Sequence, residues 1–554
     1  MDRLARLQQE AGSAGGRLFP QPALIVMATA FAVIAPFFLF GNPSGHDFEF
    51  HMNSWMEVLS QWREGIIYPR WAELAHYGFG DARFVFYPPA SWMLGAALGA
   101  VLPWKVVPGA YVWIALSLSG CSMFLLARRW LDRGDAIFAA AFYAANPYFI
   151  LIVYWRSAFA ELLAGALLPL LLLYVLRLDE VGRNAVVPLA WIVAGAWLTN
   201  APAAVMVNYS LALLALIVAM VRRSPRTVVY AGAAALLGAA LSAFYIVPAS
   251  YEQKWVNIGQ VLAPGVRPQD NFLFTTVADP DHNRFNQLVS VISAAEIVLL
   301  VIAGLSSRKR QREKPSLWWT LVVWASVLVL LMFSPSFWLW NHLPRLRFLQ
   351  LPWRLLLCLN VPIAFLVTAA WREWRWRMVT CLAMAAVLGY VPQRTQPPWW
   401  DNATEIAKMV DQHRSGAGYE GAEEYVPVGG DPYDVRRDAP LVGVSGGGTA
   451  EVHVQSWTPQ LKSFNVEMDQ PGKLVLRLFN YPAWRVEVNG EVVEAETQDD
   501  TGQMMIAAHA GVNAVRLEFI RTWDRTLGDV ISAGTMVLLA GLALFRRRQL
   551  ARQT

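Results

Sequence analysis

Charged residues and cysteines are scarce in this sequence. Of its 554 residues, 16% are charged, 56% are hydrophobic and three are cysteines. Cys121, Cys358 and Cys381 lie in apolar stretches without the spacing of metal ligands, so they predict neither a disulfide framework nor a zinc site. A typical soluble domain carries about 25% charged residues. The low charge, together with recurring long apolar runs, indicates a polytopic α-helical membrane protein.

A binding surface for nucleic acid is also missing. The net charge is +5 at pH 7, but the basic residues occur in short clusters between apolar runs and do not form one patch. Such clusters indicate how the chain is oriented in the membrane, because Lys and Arg are enriched in cytoplasmic loops. We therefore expect membrane lipids and no nucleic acid among the partners. The clusters are 128–135, Arg177 with Arg183, 222–226, 306–314, 372–377 and 546–552.

With the basic clusters inside, the apolar runs predict about twelve crossings and two cytoplasmic termini, the first preceded by Arg3, Arg6 and Arg17. The apolar piece 91–103 is too short for a span and is expected to pack as a helix or re-entrant segment. The predicted crossings are 22–40, 107–127, 137–153, 158–176, 185–199, 202–221, 228–248, 287–305, 316–333, 353–371, 377–392 and 528–545.

The predicted organisation has three parts. Residues 1–392 form the transmembrane domain, with the long outer loops 41–106 and 249–286. Residues 393–527 change to alternating apolar and polar segments with an Asn489-Gly490 turn, which predicts an extracytoplasmic β-rich domain of sandwich type. Residues 528–554 are a last transmembrane helix and a basic tail.

The first outer loop begins "GNPSGHDFEFHMNSWMEVLSQW" directly after the first apolar run. Its apolar residues recur at helical spacing, which predicts an amphipathic helix over 47–64 with Asp47 and His51 on another face. A structural role is equally open for Asp47, because a carboxylate at a helix N-terminus interacts favourably with free backbone amides. The following "RWAELAHYGFG" predicts a second helix over 70–80, and Pro88-Pro89 an extended entry to the next one.

Several segments carry a family resemblance. The order of features resembles the GT-C superfamily of polyprenol-phosphate-dependent glycosyltransferases, with an acid in a long first outer loop, many spans and a C-terminal outer domain. More specifically, the chain resembles a bacterial family of 6-pyruvoyl-tetrahydropterin-synthase-related membrane proteins. Nothing in the sequence resembles the soluble pterin enzyme. The segments are "GHDFEFHMNSW", "GIIYPRWAELAHYGFG", "FVFYPPASW", "YWRSAFAELLA", "AFYIVPASYEQKWV" and "RFLQLPWRLL".

The resemblance implies a glycosyltransferase of the cell envelope in the bacterial inner membrane, with its active site on the periplasmic face. The donor would be a polyprenyl-phosphate-linked sugar, and the acceptor a lipid, a glycan or a protein. Asp47 matches the catalytic base of the superfamily, and Glu49 follows closely enough to leave open whether it shares the task.

Two arginines are candidates for binding the donor phosphate. Arg156 lies on the outer side between two apolar runs, where positive charge is disfavoured, and Glu161 follows just inside the next run. Arg354 opens a later span on the same side. Glu161 would orient Arg156 or the sugar, and His51 would line the same pocket. The alternatives are a structural ion pair for Arg156 and a snorkelling flank residue for Arg354.

The loop 249–286 holds weaker candidates. Glu252 is a possible pocket residue, and Asp279, Asp281 and His282 have donor atoms for a divalent cation, although such residues serve turns more often. No cofactor is otherwise expected. A transporter or flippase of lipid-linked glycans is the main alternative, and a non-catalytic scaffold is another. Against transport, the sequence has no matching halves and its polar residues collect on one side.

Overall fold

The structure is a computed structural model that describes residues 20–308, 315–445 and 449–551. Arg3, Arg6 and Arg17 lie outside these ranges, as do the parts of two basic clusters that fall on 309–314 and 552–554. The described chain is mostly helical and has a C-terminal β-sheet region. The predicted class, a helical membrane protein with a β-rich C-terminal part, is therefore confirmed at this level.

Eight of the described helices are long and apolar enough to cross a membrane. Two further pairs meet this test only together, since Arg226–Leu241 and Ala243–Trp255 are bent by 77°, and Ser316–Leu331 and Ser334–His342 by 90°. The eight helices are Gln21–Phe40, Val107–Ala127, Arg133–Arg156, Phe159–Leu178, Ala201–Arg222, Pro280–Ser307, Pro352–Ala370 and Trp523–Phe545.

The predicted number of twelve spans therefore exceeds the eight to ten that the described helices support. The two additional segments are both helical. Val186–Thr199 has 14 residues, fewer than the roughly 20 that a bilayer requires. Trp374–Arg394 has 21 residues but includes Arg375, Arg377 and Arg394. The count of twelve stays a prediction.

The first outer loop contains the amphipathic helix that its periodicity predicts, over Phe48–Arg63. It packs against the short apolar helix Pro89–Val101, which is the predicted non-spanning piece. A Cβ added to Gly95 would lie 2.1 Å from the ring of Trp55, so this close contact requires glycine. The helix therefore lies inside the protein, with Trp55 fully buried.

The predicted second helix over 70–80 is wrong. Only Ala75–Gly78 is helical, and His76 and Tyr77 have positive φ angles of 50° and 58°. The reason is that backbone groups of this segment bond outside it: Tyr77 N donates to the Tyr419 carbonyl at 3.1 Å. A regular helix would use those amides internally.

The strands of the C-terminal region form two sheets. The four-stranded sheet has the strand order Val442–Ser445, Gly472–Phe479, Gln503–Ala508 and Glu496–Thr497, and the five-stranded sheet the order Ala450–Trp457, Leu461–Met468, Gly511–Phe519, Trp484–Val488 and Glu491–Val493. Separately, β1 (Asn42–Pro43) pairs with β2 (Trp400–Asp401), which fixes the start of the first loop to the segment before the sheets. The sheet strands are β3 (Val442–Ser445), β4 (Ala450–Trp457), β5 (Leu461–Met468), β6 (Gly472–Phe479), β7 (Trp484–Val488), β8 (Glu491–Val493), β9 (Glu496–Thr497), β10 (Gln503–Ala508) and β11 (Gly511–Phe519).

The β-region and the first outer loop share one hydrophobic core. Trp71 contacts Tyr481 and Trp484, and the ring centroids of Phe79 and Phe479 are 5.6 Å apart. Because this core joins residues about 400 positions apart, the sheets and the loop 41–106 lie together at one end of the helical bundle.

A buried ion pair connects the same two parts. The ammonium of Lys462 is 2.8 Å from both carboxylate oxygens of Glu73 and donates to the Thr458 carbonyl at 2.9 Å. Lys462 is fully buried, whereas Lys473 makes a similar pair with Glu496 at the surface.

Lys462→Met should destabilise the protein by about 3 kcal/mol or more, because it leaves the Glu73 carboxylate without its buried partner. The matched variant Lys473→Met should change stability by less than about 1 kcal/mol, since exposed pairs contribute little. Thermal unfolding in detergent, followed by tryptophan fluorescence, measures both. Equal effects of the two variants would contradict the docking of the β-region described here.

Candidate functional site

Hydrogen bonds fix the segment around Asp47 to the end of the span Arg133–Arg156. Asp47 N donates to the Arg156 carbonyl at 2.9 Å, and Gly45 N donates to Ser157 Oγ at 2.9 Å. The two segments approach so closely that a Cβ on Gly45 would lie 2.4 Å from the Trp155 carbonyl oxygen. The first loop therefore places its acid beside Arg156.

An irregular turn directs Arg156 into the bundle. Residues Ile152–Arg156 form a π-helical turn, and Ser157 ends it with a φ of 49°. Ser157 Oγ donates to the Pro43 carbonyl at 2.9 Å, which holds the turn against the first loop. Single π-turns of this kind are frequent at functional sites. The Arg156 side chain is 4% exposed.

Glu161 is the centre of the buried polar cluster. Arg156 Nη1 donates to Glu161 Oε2 at 2.6 Å, and the Tyr148 hydroxyl donates to Glu161 Oε1 at 2.5 Å. Arg354 Nε lies 3.2 Å from Glu161 Oε2. The Glu161 carboxylate, which is 1% exposed, therefore contacts both of the arginines predicted to bind the donor phosphate.

The loop before Pro352–Ala370 positions Arg354. Arg354 Nη1 donates to Gln350 Oε1 at 2.8 Å and to the Leu349 carbonyl at 3.0 Å. Gln350 has an unusual backbone conformation with φ 65° and ψ −63°, the kind of strain that recurs at functional sites. The Arg156 guanidinium carbon lies 5.0 Å from the centre of the Trp353 ring, which forms one wall of the cluster.

The cluster has an excess of positive charge. It contains two guanidinium groups and one buried carboxylate. The next anion is Asp47, whose Oδ2 is 3.8 Å from Arg156 Nη2 and whose side chain is 42% exposed. Arg354 Nε is within ion-pair distance of Glu161 Oε2, but it has no hydrogen-bond partner among the described residues. The arrangement suits an additional anion approaching from the side of Asp47.

Aromatic side chains surround the Asp47 end of the cluster. His46 lies 4.8 Å from Phe285 and 5.5 Å from Trp399, measured between ring centroids. Phe285 in turn lies 5.9 Å from Trp353. Residues from the first loop, the span Pro280–Ser307 and the segment before β2 thus meet at Asp47.

His51 lies one turn beyond Asp47, as predicted, but it is 1% exposed and packed among aromatic rings. Within the described part of the chain, its Nε2 has no hydrogen-bond partner. Burial lowers the pKa of His51 to about 4, so the ring is neutral near pH 7. The described contacts therefore give His51 a packing role and no polar contact with the arginines.

Glu49 and Glu252 lie outside the cluster. The Glu49 side chain is open to solvent on one side, and its partial desolvation, together with the carboxylates of Asp401 and Glu420, raises its pKa. Glu252 is fully buried and accepts hydrogen bonds from Arg525 Nε at 2.8 Å and Nη2 at 2.7 Å. The proposed pocket role of Glu252 is not supported, because these bonds make it a brace for the last helix.

The side chains of Asp279, Asp281 and His282, the weaker metal candidates, have separate partners and do not form one site. Asp279 caps the helix Pro280–Ser307 by accepting from Asp281 N at 2.9 Å, and Asp281 faces Arg284 at 3.3 Å. His282 Nε2 lies 3.1 Å from the Asp270 carbonyl. Over the described ranges, no group of three potential metal-ligating side chains occurs. Turn and capping chemistry accounts for these residues.

Sequence reasoning missed Tyr148, Gln350 and Trp353. Two signals were available. Tyr148 precedes Arg156 by eight residues in an otherwise apolar helix, and Gln350 and Trp353 flank the Leu-Pro pair before Arg354. Each is a polar or amphipathic side chain beside a charge in an apolar context, where polar groups need partners.

The helices and the polar cluster at one end of the bundle define a polytopic membrane protein. A profile of the family described as "6-pyruvoyl-tetrahydropterin synthase related domain; membrane protein" matches residues 84–399. The match covers more than half of the chain, and the chain belongs to this family. Arg156, Glu161 and Arg354 lie within the matched residues, while Asp47 precedes them. No curated protein matches the sequence.

The pKa of His51 predicts acid sensitivity. An unfolded histidine binds a proton near pH 6.5, whereas folded His51 does so only near pH 4. Between these values the unfolded state binds more protons, so stability falls as pH decreases. Burial also lowers the pKa of His413 to about 4, so two histidines contribute.

His51→Phe should therefore remove about half of the loss in apparent Tm between pH 7 and pH 5 that these two histidines cause. Phenylalanine suits the surrounding aromatic rings. His453→Asn is the control, because His453 is 71% exposed and should leave the slope unchanged. An unaltered slope in His51→Phe would show that this histidine titrates normally.

Proposed function

We propose that the protein is an integral membrane glycosyltransferase of GT-C type that uses a polyprenyl-phosphate-linked sugar. The observation that carries the proposal is the buried Arg156–Glu161–Arg354 cluster, which opens toward Asp47. The reaction would occur at the end of the bundle covered by the β-region. On the predicted topology this is the periplasmic side of a bacterial inner membrane, and the product belongs to cell-envelope glycan, glycolipid or glycoprotein.

The arginine pair supports a phosphate ligand. Two guanidinium groups share one carboxylate, so the buried part carries one positive charge in excess. An unbalanced charge in a poorly hydrated site is costly unless a ligand neutralises it. Guanidinium groups bind phosphate oxygens with forked hydrogen bonds, which strengthen as negative charge develops on a departing phosphate.

Asp47 supports the role of a base. Its side chain is 42% exposed and not held by a short ion pair, so an acceptor hydroxyl has access to it. The carboxylate would take the proton of that hydroxyl as its oxygen attacks the anomeric carbon. The bond from this carbon to the phosphate oxygen breaks, and polyprenyl phosphate leaves with the bonding electrons. The result is inversion at the anomeric carbon.

An apolar groove supports a lipid-linked donor. It has a volume of about 660 Å³ and lies between the end of the first span and the start of Val107–Ala127. Its polar end contains Lys105 together with Asn42 and Asp401, which are paired residues of β1 and β2. An isoprenoid chain would lie along the apolar part. Its lining includes Phe31, Ile34, Phe37, Phe38, Leu39, Phe40 and Trp113.

Transport of a lipid-linked glycan is the second candidate. One observation favours it: Glu296 is fully buried within the span Pro280–Ser307, where Asn360 Nδ2 lies 3.4 Å from its carboxylate. Ionisable groups at such positions often mark transport pathways. The polar side chains that meet at Asp47 nevertheless lie at one end of the bundle, which suits transfer at one membrane face.

Asp47→Asn should abolish sugar transfer while the protein still folds, because the amide cannot accept the proton. Cells lacking the protein are complemented with wild type or variant, and mass spectrometry records their polyprenyl-phosphate sugars and envelope glycans. The variant should match the deletion, with one lipid-linked sugar accumulating and one glycan residue missing. Equal thermal unfolding of variant and wild type verifies folding.

Two further variants sharpen the result. Glu64→Gln, at the exposed end of the same helix, should restore the wild-type profile. Glu49→Gln tests whether the neighbouring acid shares the task, and we expect near-normal transfer because no described ion pair links Glu49 to the arginines. A wild-type profile with Asp47→Asn would refute the proposed role of Asp47 and favour transport.

A further inference from the structure

A second pocket lies where the first outer loop meets the β-region. It is a small pocket, open to solvent, with a volume of about 70 Å³. Neither the arginine cluster nor the apolar groove contributes to it. The lining is His76, Tyr77, Glu420, Gly421, Glu423, Pro432, Tyr433, Val435 and Arg437.

The backbone around this pocket is constrained. His76 and Tyr77 are both left-handed, which is unfavourable for residues with a side chain. Gly421 is required opposite them, because a Cβ there would lie 2.0 Å from His76 Nε2. The Tyr77 carbonyl accepts a hydrogen bond from Arg477 Nε at 2.9 Å, which holds the strained turn on the sheet. The pocket floor is therefore a built feature of the fold.

The lining combines aromatic and polar groups that remain open to solvent. The Tyr433 side chain is 68% exposed, and its hydroxyl donates to Glu423 Oε1 at 2.5 Å. This hydrogen bond raises the pKa of Tyr433 to about 12, so the hydroxyl stays protonated. The Arg437 guanidinium lies 4.0 Å from the centre of the Tyr77 ring, without a carboxylate partner in the described part of the chain.

This combination matches the chemistry of a saccharide. An exposed aromatic ring packs against the C–H face of a pyranose, while carboxylates accept hydrogen bonds from neighbouring hydroxyls. Glu420 and Glu423 supply the carboxylates, and Arg437 supplies donors for sugar oxygens. A purely apolar ligand would leave these charged groups without partners.

The pocket also lies near the candidate active site. Glu420 is close enough to Glu49 to raise the pKa of that carboxyl, and Glu49 follows Asp47 by two residues on the same segment. Asp401 is another acidic neighbour of Glu49. A chain bound in the pocket would extend past these carboxylates toward Asp47.

We propose that this pocket binds a saccharide unit of the acceptor, so that the acceptor is a glycan chain carrying neighbouring hydroxyls. The assignment to an acceptor rests on the proposed transferase function, whereas saccharide binding itself does not. The bound unit is an internal sugar of the acceptor chain. It holds the chain in place while the hydroxyl of the terminal sugar reaches Asp47.

Binding is tested on the purified full-length protein in detergent by saturation-transfer-difference NMR. The probes are maltotetraose, cellotetraose and mannotetraose, with tetralysine as a peptide probe. We expect one tetrasaccharide to bind, and Tyr433→Ala to weaken its binding about tenfold, equivalent to the loss of about one aromatic contact. Glu420→Gln should weaken it several-fold. Glu491→Gln, an exposed acid on β8, should bind like wild type.

Each outcome of these binding experiments either supports or overturns the saccharide site. If none of the three tetrasaccharides gives a saturation-transfer signal, the proposal is overturned. It is also overturned if Tyr433→Ala and Glu420→Gln leave the binding unchanged. Selective binding of tetralysine, lost in Glu423→Gln, also overturns it and identifies a basic peptide site. Asp47→Asn should bind the saccharide normally. If the saccharide binds but Asp47→Asn has a wild-type glycan profile in cells, the transferase role fails and the saccharide site stands.

Discussion

The carboxylate of Glu161 is the group on which the polar site depends. It contacts Arg156 and Tyr148 from one span, Arg133–Arg156, and Arg354 from a span about 200 residues later. Taking one charge out of the bilayer is unfavourable, and taking three is tolerated only when they neutralise and bond one another. Glu161 therefore holds two like charges together and leaves one of them uncompensated, which prepares the site for an anion.

The parts outside the bundle are arranged around this cluster. Ser157 ends the π-helical turn that carries Arg156, and its hydroxyl forms hydrogen bonds with Pro43 and Gly45 of the first loop. The turn that orients Arg156 therefore also positions Asp47. The β-region then covers the first loop through the shared core around Trp71 and the buried Lys462–Glu73 pair. A separate buried pair, Glu252 with Arg525, attaches the last helix. The polar cluster and the β-region are therefore connected through the first outer loop.

Much of the architecture is predictable from local pattern. The helix Phe48–Arg63 follows from its apolar stripe, the β7–β8 hairpin from Asn489-Gly490, and the pairing of Arg156 with Glu161 from two charges in apolar surroundings. Other features depend on distant contacts that no local pattern contains. Arg525, the partner of Glu252, lies 273 residues away, and the left-handed Tyr77 is set by bonds to the C-terminal part. The predicted number of spans exceeds that supported by the described helices because two predicted crossings, 185–199 and 377–392, fall on helices that do not meet the length and composition of a span by themselves.

The most direct test of the central idea is whether the arginine cluster holds a phosphate-bearing lipid. Native mass spectrometry of the full-length protein, released from membranes in mild detergent, detects co-purified lipids by mass. We expect a polyprenyl-phosphate species on the wild type and its loss in Arg354→Gln, while Arg485→Gln on the exposed face of β7 retains it. An equal amount of this lipid on wild type and Arg354→Gln, or its absence from the wild type after addition of polyprenyl phosphate, would contradict a phosphate site at Arg156 and Arg354.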